Sequence, residues 1–272
     1  MTSCSIVYCK ENSASRKEGT QMNIGIIGLG NMGRALYDLF LEEGHELFVG
    51  CPHEKDIATF QTRDNADVVD HSDILFIATK PYKVEEVMEE ISPKVEGQII
   101  VSMAAGVSLK RLQKMAPTEK IIRILPNTPI AVGRGVIAYT PGYDMSEEEK
   151  ASFEDLLKGA GEIIEVDEKD LDIVTALTGA TPAFVAMAIE GFVDGACACG
   201  MKRELAYAMA AKAVAGTCDL MTEKGLHPGQ LKDGVTSPAG ATIEGVMVLE
   251  SMAMRYAFAQ SIIKTVEKGK NL

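Results

Sequence analysis

The apolar residues in the first part of the chain follow two alternating patterns. Short apolar runs, which are typical of buried parallel strands, lie at residues 23–27, 45–50, 73–79, 98–103, 120–125, 134–140 and 162–166. Apolar residues spaced three or four apart, which are typical of helices, follow the first run and recur at 84–91, 107–115 and 145–159. Strands that alternate with helices predict an α/β fold, with a Rossmann-type doubly wound sheet over residues 22–166.

Only helical patterns remain beyond about Asp167. They cover residues 170–199, 203–224 and 241–268, and Pro228 indicates the start of a further short helix. These segments are rich in Ala, Gly and Met and carry few charges. A unit of this size buries only part of such a surface by itself. We therefore expect residues 167–272 to form an all-α dimerisation domain, in a homodimer or a higher homo-oligomer.

The junction of the first strand and the first helix contains three glycines. Its sequence is Ile27-Gly28-Leu29-Gly30-Asn31-Met32-Gly33. In this spacing the first glycine permits a tight turn, the second lets a pyrophosphate approach the main chain, and the third lets helix and strand pack closely. The phosphates then face free N–H groups at a helix N-terminus. The pattern predicts a dinucleotide site; a glycine-rich turn without a ligand is the alternative.

The end of the second predicted strand indicates which dinucleotide binds. An Asp or Glu at that point binds the ribose 2′-hydroxyl of NAD and repels a 2′-phosphate. This chain has Cys51 there, with His53 and Lys55 just beyond. These residues favour NADP, with NADPH as the preferred reductant and NADH as a second candidate, although Glu54 opposes that choice. In the alternative interpretation His53 and Lys55 are simply exposed residues at the start of a helix.

Charge and hydropathy exclude two classes of partner. The net charge of −12 argues against a nucleic-acid partner. The longest uncharged run is 173–189, but Thr178, Gly179, Thr181 and Pro182 interrupt it, which suits a buried or interfacial segment better than a membrane span. We therefore expect a small-molecule substrate and neither a nucleic-acid nor a membrane partner.

The cysteines and histidines indicate neither a disulfide framework nor a metal site. The six cysteines form no Cys-x-x-Cys pair, which predicts a reducing compartment and hence a cytoplasmic protein. The four histidines lie far apart, and none is at ligand spacing from another or from a cysteine, so no metal is expected. Residues 1–21 lack the features of a signal or transit peptide, and we expect them to be a disordered extension or the product of an upstream start that need not be the natural one.

Four separated motifs lie in order between Met22 and about Val266. They are Gly28-Leu-Gly-Asn-Met-Gly33, Ala78-Thr-Lys-Pro81, Arg123-Ile-Leu-Pro-Asn-Thr-Pro129 and Val235-Thr-Ser-Pro-Ala-Gly-Ala-Thr-Ile243. Together they resemble the pyrroline-5-carboxylate reductase family, although the first motif is shared with many oxidoreductases. The resemblance implies a Rossmann domain, a helical dimerisation domain and an oligomer built from dimers. It also implies hydride transfer from the nicotinamide C4 of NAD(P)H to C5 of 1-pyrroline-5-carboxylate, which gives L-proline.

The resemblance further implies which residues bind the two ligands. Its cofactor contacts fall on Ile27, Gly28, Leu29, Gly30, Asn31, Met32, Cys51, Asn65, Ala78, Thr79, Lys80, Pro81, Met103, Ala104 and Ala105. Its substrate contacts fall on Glu168, Gly234, Val235, Ser237, Gly240, Ala241 and Thr242. We expect Asn65 to lie in the connection that follows the second strand.

Thr242 is the candidate catalytic residue. The imine nitrogen is easily protonated, so the site mainly has to hold the anionic carboxylate and bring C5 to the nicotinamide. The segment 238–242 precedes a helical pattern, and free N–H groups at a helix start can take a carboxylate. We hypothesise that the Thr242 hydroxyl bonds the ring nitrogen or steadies the carboxylate. The alternative for Thr242, and for Glu168, is a residue that only caps a helix or faces solvent.

Two segments depart from the usual sequence of that family. The chain has Gly179-Ala-Thr-Pro182 in place of Gly-Ser-Gly-Pro, and Ser237-Pro-Ala-Gly240 in place of Ser-Pro-Gly-Gly. If residue 239 adopts a positive φ, alanine there costs about 1 kcal/mol or more. These departures concern substrate geometry more than cofactor binding, and they leave room for a slower or differently selective relative.

Two other functions fit part of the sequence. β-Hydroxyacid dehydrogenases share the plan of a Rossmann domain followed by helices, but they use a lysine with a nearby asparagine on the first long helix of the second domain. Residues 173–189 contain no lysine. A sensor that binds NADP without turnover is supported only by the two departures, and a test for proline formation distinguishes it from an enzyme.

Overall fold

The computed structural model describes residues 21–269, and its first domain is built on one eight-stranded sheet. The strands are β1 (Asn23–Ile27), β2 (Glu46–Gly50), β3 (Phe60–Thr62), β4 (Ile74–Ile77), β5 (Ile99–Ser102), β6 (Ile121–Pro126), β7 (Gly135–Pro141) and β8 (Gly161–Glu165). Their spatial order is β3-β2-β1-β4-β5-β6-β7-β8. Strands β1 to β6 run parallel, whereas β7 runs antiparallel to β6 and parallel to β8. The expected extension lies outside the described residues, apart from Gln21.

Helices cover both faces of this sheet, as its sequence pattern predicts. They are α1 (Asn31–Glu43), α2 (Asn65–Asp70), α3 (Val84–Ile91), α4 (Leu109–Met115) and α5 (Glu147–Leu157). In β4, Ile74 and Phe76 point to the core under α1 and α5, while Leu75 and Ile77 point to the core under α2, α3 and α4. Because both faces of each central strand are buried, the strands read as continuous apolar runs. The α/β, doubly wound prediction is therefore confirmed.

The chain reverses its direction across the sheet between β1 and β4. It runs outward from β1 through β2 to β3, and then crosses back so that β4 pairs with the other side of β1. The carboxyl ends of adjacent strands diverge at such a reversal, and ligands of doubly wound sheets bind in the resulting crevice. The glycine-rich turn follows β1 directly, so it lies at this crevice.

The remainder of the described chain is helical. Its helices are α6 (Leu171–Val174), α7 (Ala180–Ala198), α8 (Arg203–Lys224), α9 (Pro228–Gly234), α10 (Ala241–Ser251) and α11 (Met254–Gly269). Shorter helical turns occur at Pro81–Lys83, Ser92–Lys94, Thr128–Val132, Lys158–Ala160, Glu168–Asp170 and, as a π-helix, Thr175–Gly179. The short helix predicted at Pro228 is present, and α8 has the expected bounds.

Two details of the sequence interpretation are wrong. The segment 241–268 is two helices, because the chain turns at Met252 and Ala253, where Ala253 has a φ of 53°. The segment 170–199 contains a π-helical interruption at Thr175–Gly179. Asn65 does lie between β2 and β4, as the first residue of α2, and the short strand β3 that precedes α2 was not predicted.

Most of the helical domain is exposed in a single chain. Val193 and Ala206 are the buried residues of α7 to α11 within the described range. Exposed apolar side chains include Met187, Tyr207, Met252 and Tyr256. By length and composition alone, Glu168–Ala198 could also cross a membrane, and little of it is buried. An exposed apolar surface of this extent is typical of a face that another molecule covers.

Candidate dinucleotide and substrate site

The glycine-rich turn after β1 has the geometry that its spacing predicts. Gly28 has a φ of 97°, and its N–H donates to the Gly50 carbonyl at 2.8 Å. A Cβ on Gly33 would lie 2.2 Å from the Gly28 carbonyl oxygen, so only glycine lets α1 approach the turn this closely. A Cβ on Gly30, by contrast, would have no neighbour within 4 Å. The chain itself therefore leaves open the space that Gly30 creates.

Two groups beside this turn have no partner in the described chain. No side chain caps the N-terminus of α1, so its first N–H groups are free to bind an anion. The Thr79 Oγ1 atom is buried without a hydrogen bond, and Thr79 lies against Gly28. A buried polar atom without a partner is unfavourable unless a ligand supplies one. Both observations fit a bound dinucleotide.

The predicted cofactor residues lie along the carboxyl ends of four strands. The glycine-rich turn follows β1, Cys51 follows β2, residues 78–81 follow β4, and residues 103–105 follow β5. Asn65 joins them from α2, since its Oδ1 lies 2.4 Å from the point that a Gly50 Cβ would occupy. Glu90 accepts hydrogen bonds from the Asn65 main-chain N–H at 3.0 Å and from its Nδ2 at 2.6 Å. The fold thus assembles this set at one edge.

The segment after β2 is not helical, so the alternative interpretation, in which His53 and Lys55 begin a helix, is wrong. Cys51 is buried, and its N–H donates to the Thr62 carbonyl at 3.0 Å. His53, Glu54 and Lys55 are exposed, and in the described chain their side chains form no hydrogen bond or ion pair. Two cationic or protonatable side chains are thus available beside the expected position of the ribose.

Glu168 is fixed against the same edge by a residue that the sequence interpretation did not single out. Its Oε1 accepts the Leu109 N–H and the Arg123 Nη1, both at 2.6 Å. The Arg123 side chain is only 6% exposed, so Glu168 neutralises a buried cation. Leu109 begins α4, shortly after residues 103–105 along the chain, so the residue that Glu168 contacts closely follows the segment after β5. The sequence signal that could have indicated this ion pair is Arg123 itself, a single charged residue inside the apolar strand β6.

The loop 235–240 and the start of α10 form a second open helix N-terminus. Ala239 has a φ of 55°. Gly240 is the N-cap residue of α10, and no side chain caps this helix. Thr242 is exposed, and its hydroxyl has no partner among the described residues. The hydroxyls of Thr175 and Thr178, by contrast, bond main-chain carbonyls four residues earlier. The Thr242 hydroxyl therefore does not satisfy the main chain of its own helix and is free for a ligand.

The structure does not join this loop to the dinucleotide edge within one chain. Across residues 21–269, every hydrogen bond of the segment 234–242 stays within α9, the loop or α10. The main packing partner of α10 is α11. Of the predicted substrate residues, Glu168 therefore lies beside the sheet, while Gly234, Val235, Ser237, Gly240, Ala241 and Thr242 lie on the exposed helical domain.

Two family descriptions match the chain. "Pyrroline-5-carboxylate reductase dimerisation" matches residues 168–272, which include the exposed helices. "NADP oxidoreductase coenzyme F420-dependent" matches residues 23–106, which include the glycine-rich turn. Residues 107–167 lie in neither match, and the dimerisation match begins just after β8 ends at Glu165.

Curated relatives resemble the chain over most of its length. The pyrroline-5-carboxylate reductase of a Synechocystis species is 36% identical over 262 residues, which cover 92% of this chain and 98% of the relative. The Rattus norvegicus pyrroline-5-carboxylate reductase 2 is 37% identical over 252 residues, which cover 86% of this chain and 78% of the relative.

Solved structures have the same fold. The pyrroline carboxylate reductase of Plasmodium falciparum, crystallised with NADP bound, superposes with a TM-score of 0.85 at 29% identity and covers 92% of this chain and 97% of its own. The 1-pyrroline-5-carboxylate reductase of Streptococcus pyogenes superposes with a TM-score of 0.83 at 28% identity, covering 93% of this chain and 100% of its own.

Proposed function

This chain belongs to the pyrroline-5-carboxylate reductase family, and we propose that it reduces 1-pyrroline-5-carboxylate to L-proline with NADPH. The observation that best supports this activity is a pair of open helix N-termini. The one at Gly30 suits the phosphates of a dinucleotide, and the one at Gly240 suits a small carboxylate. An NADP-dependent oxidoreductase acting on an anionic cyclic imine needs both.

The cofactor half of the site is the edge formed by β1, β2, β4 and β5. We assign the pyrophosphate to the free N–H groups after Gly30, with the Thr79 hydroxyl as a further donor. The small residues Ala104 and Ala105 let a nicotinamide ring lie against the main chain. His53 and Lys55 favour a 2′-phosphate, and hence NADPH over NADH.

The substrate half is the start of α10. The N–H groups of residues 241–243 hold the carboxylate, and the Thr242 hydroxyl bonds the ring nitrogen or steadies the carboxylate. Glu168 Oε2 has no hydrogen-bond partner in the described chain. Its negative charge attracts the protonated ring nitrogen of the substrate and repels the substrate carboxylate, so it favours an orientation with the nitrogen towards Glu168. When bound, NADPH would supply a hydride to C5 of the protonated imine, whose C=N π electrons would become the lone pair on nitrogen. The residues of this chain orient the imine.

We propose that the two halves of a working site come from two copies of the chain. The loop 235–240 has no bond to its own sheet, and the helices that carry it expose Met187, Tyr207 and Tyr256. If these apolar faces pack together, the start of α10 of one copy can approach the nucleotide edge of the other. The resulting homodimer, or a larger assembly of dimers, would contain two equivalent sites.

Mixing two impaired variants, assayed at an NADPH concentration too low for Gly30→Ala to bind it, tests this arrangement. Gly30→Ala impairs only the cofactor half, and Thr242→Ala impairs only the substrate half. Subunits exchanged at equal concentration form heterodimers in which one of two sites is intact, so about a quarter of wild-type activity returns. A mixture that exchanges subunits but stays inactive would place both halves of each site in one chain.

The reaction itself is tested by its product. Purified protein incubated with 1-pyrroline-5-carboxylate and NADPH should form L-proline in equal amount to the NADPH consumed. Protein that binds NADPH but forms no proline would support the sensor.

We also propose that the protein is cytoplasmic. In the described part of the chain, Cys51, Cys197, Cys199 and Cys218 are free thiols, which suits a reducing compartment. Its location in cells is tested by fractionation with an antibody to the chain: recovery with the soluble cytoplasmic fraction supports the proposal, and recovery with membranes contradicts it.

A further inference from the structure

The segment from Cys51 to Thr59 carries the candidate 2′-phosphate ligands but has no regular structure. It is held to the rest of the chain at its two ends and near its middle. Tyr37 Oη holds the far end by accepting the Ala58 N–H at 3.3 Å, and Arg34 Nη1 donates to the Asp56 carbonyl at 3.3 Å. Neither contact reaches the residues next to the ribose position.

Gln61 alone, among the described residues, binds the main chain on both sides of Glu54. Its Oε1 accepts the Lys55 N–H at 3.1 Å, and its Nε2 donates to the His53 carbonyl at 2.8 Å. Gln61 is the central residue of β3 and pairs with Val49 of β2. The two bonds therefore fix the main chain of His53 and Lys55 relative to the end of β2.

We propose that Gln61 is a positioning residue that sets the preference for NADPH over NADH. The inference rests on the proposed function, in which His53 and Lys55 bind the 2′-phosphate. A phosphate dianion gains most from charged donors that are already in place, because ordering a free loop on binding costs conformational entropy. NADH carries a hydroxyl at that position, so its binding free energy gains little from charged donors that are already in place. Gln61 therefore acts on one cofactor more than on the other.

The test compares four proteins: wild type, Gln61→Met, Lys55→Ala and Gln98→Met. Methionine nearly matches glutamine in shape but makes neither hydrogen bond. Gln98 is the matched control, because its side chain also accepts an N–H, that of Glu96 at 2.8 Å, and donates to a carbonyl, that of Val69 at 3.4 Å. It precedes β5 and so lies at the amino-terminal ends of the strands, whereas the site lies at their carboxyl ends.

The readout is the KM for NADPH and for NADH at saturating imine. We expect Gln61→Met to raise the KM for NADPH about five- to tenfold and to leave that for NADH within about twofold, as the loss of two ordering hydrogen bonds implies. Gln98→Met should change neither value. Calorimetric binding of adenosine 2′,5′-bisphosphate and of 5′-AMP repeats the comparison without turnover, and only the bisphosphate should bind Gln61→Met more weakly.

Two results would overturn the inference. Equal weakening of NADPH and NADH in Gln61→Met would show a general structural role, and unchanged NADPH kinetics would show no role. If Lys55→Ala loses the NADPH preference while Gln61→Met keeps it, only the role of Gln61 fails. If Lys55→Ala keeps the preference, the proposed 2′-phosphate site itself fails.

Discussion

The side-chain Nδ2 of Asn127 donates a hydrogen bond of 3.1 Å to the main-chain carbonyl of Thr178. Pro182 has no N–H, so the carbonyl four residues before it lacks its α-helical donor. Asn127 also accepts the Val136 N–H on Oδ1 at 2.8 Å. The residue is only 8% exposed, and it joins the end of β6 to the interrupted helix that opens the dimerisation domain. One side chain thus compensates for a proline and connects the two domains.

This connection predicts a stability effect that depends on Pro182. Asn127→Ala leaves a partly buried carbonyl and a partly buried N–H without partners, and we expect it to lower the free energy of unfolding by about 1–3 kcal/mol. In a Pro182→Ala background the restored N–H can reach Thr178, so the same substitution should cost about 1 kcal/mol less. Urea unfolding at fixed protein concentration measures both values. An equal cost in both backgrounds would contradict the assigned role of Pro182.

Two glycines of the cofactor turn should respond differently to alanine. Gly30→Ala meets no neighbouring atom in the chain, so we expect stability within about 0.5 kcal/mol of wild type but NADPH binding weakened at least about tenfold. Gly33→Ala forces a Cβ against the Gly28 carbonyl and should unfold more easily by several kcal/mol, on the order of 3. Thermal unfolding and fluorescence titration with NADPH measure the two effects. Normal NADPH binding by folded Gly30→Ala would show that the pyrophosphate does not bind beside Gly30.

The loop 235–240 contains a residue in an unfavourable conformation. Ala239 has a φ of 55°, which glycine adopts more easily, so Ala239→Gly should stabilise the protein by about 0.5–1 kcal/mol. Ala257→Gly is the matched control, because Ala257 lies inside α11 and its replacement should destabilise by about 0.5–1 kcal/mol. Urea unfolding of the two variants should therefore give opposite signs, and equal signs would argue against the left-handed conformation of Ala239.

The start of α5 should make stability depend on acidic pH. The ammonium of Lys120, and then the N–H and hydroxyl of Ser146, lower the pKa of Glu149 from 4.5 to about 2. Because the folded pKa is lowered, the stabilisation is present above pH 4.5 and is lost as pH falls towards 2. Glu149→Gln should cost about 1 kcal/mol at neutral pH, after allowance for solvent screening, and progressively less below pH 4.5.

Unfolding by urea at a series of pH values measures this dependence. Glu148→Gln removes a charge from the same helical turn without removing a hydrogen bond or ion pair in the described chain, so it serves as the control. A constant difference between wild type and Glu149→Gln across the acidic range would contradict the ion pair with Lys120.

The sheet was predictable because its strands are buried on both faces and each ends in a distinct turn. The strand β3 was missed because its three residues, Phe60–Thr62, are too few to show a period and partly exposed. The break after Ser251 was missed because Ala253 supplies neither a glycine nor a proline signal. Short edges and breaks without special residues depend on tertiary contacts that local sequence does not encode.

The candidate site was predictable in its parts but not in its assembly. The glycine-rich turn and the start of α10 both follow from local sequence, because helix N-termini have local signals. The ion pair of Arg123 with Glu168 spans 45 residues and has no local signal beyond a lone charge in a strand. That the loop 235–240 has no bond to its own sheet is a three-dimensional fact, visible only once α9, α10 and α11 are placed.

The rate of NADPH oxidation with 1-pyrroline-5-carboxylate, measured for wild type and Thr242→Ala, tests the central claim most directly. We expect clear wild-type turnover, with kcat/KM lowered about 100-fold in Thr242→Ala and largely kept in Thr242→Ser, which retains the hydroxyl. NADPH binding should be equal in all three proteins. Wild-type protein that binds NADPH but does not oxidise it with this imine would contradict the reductase account.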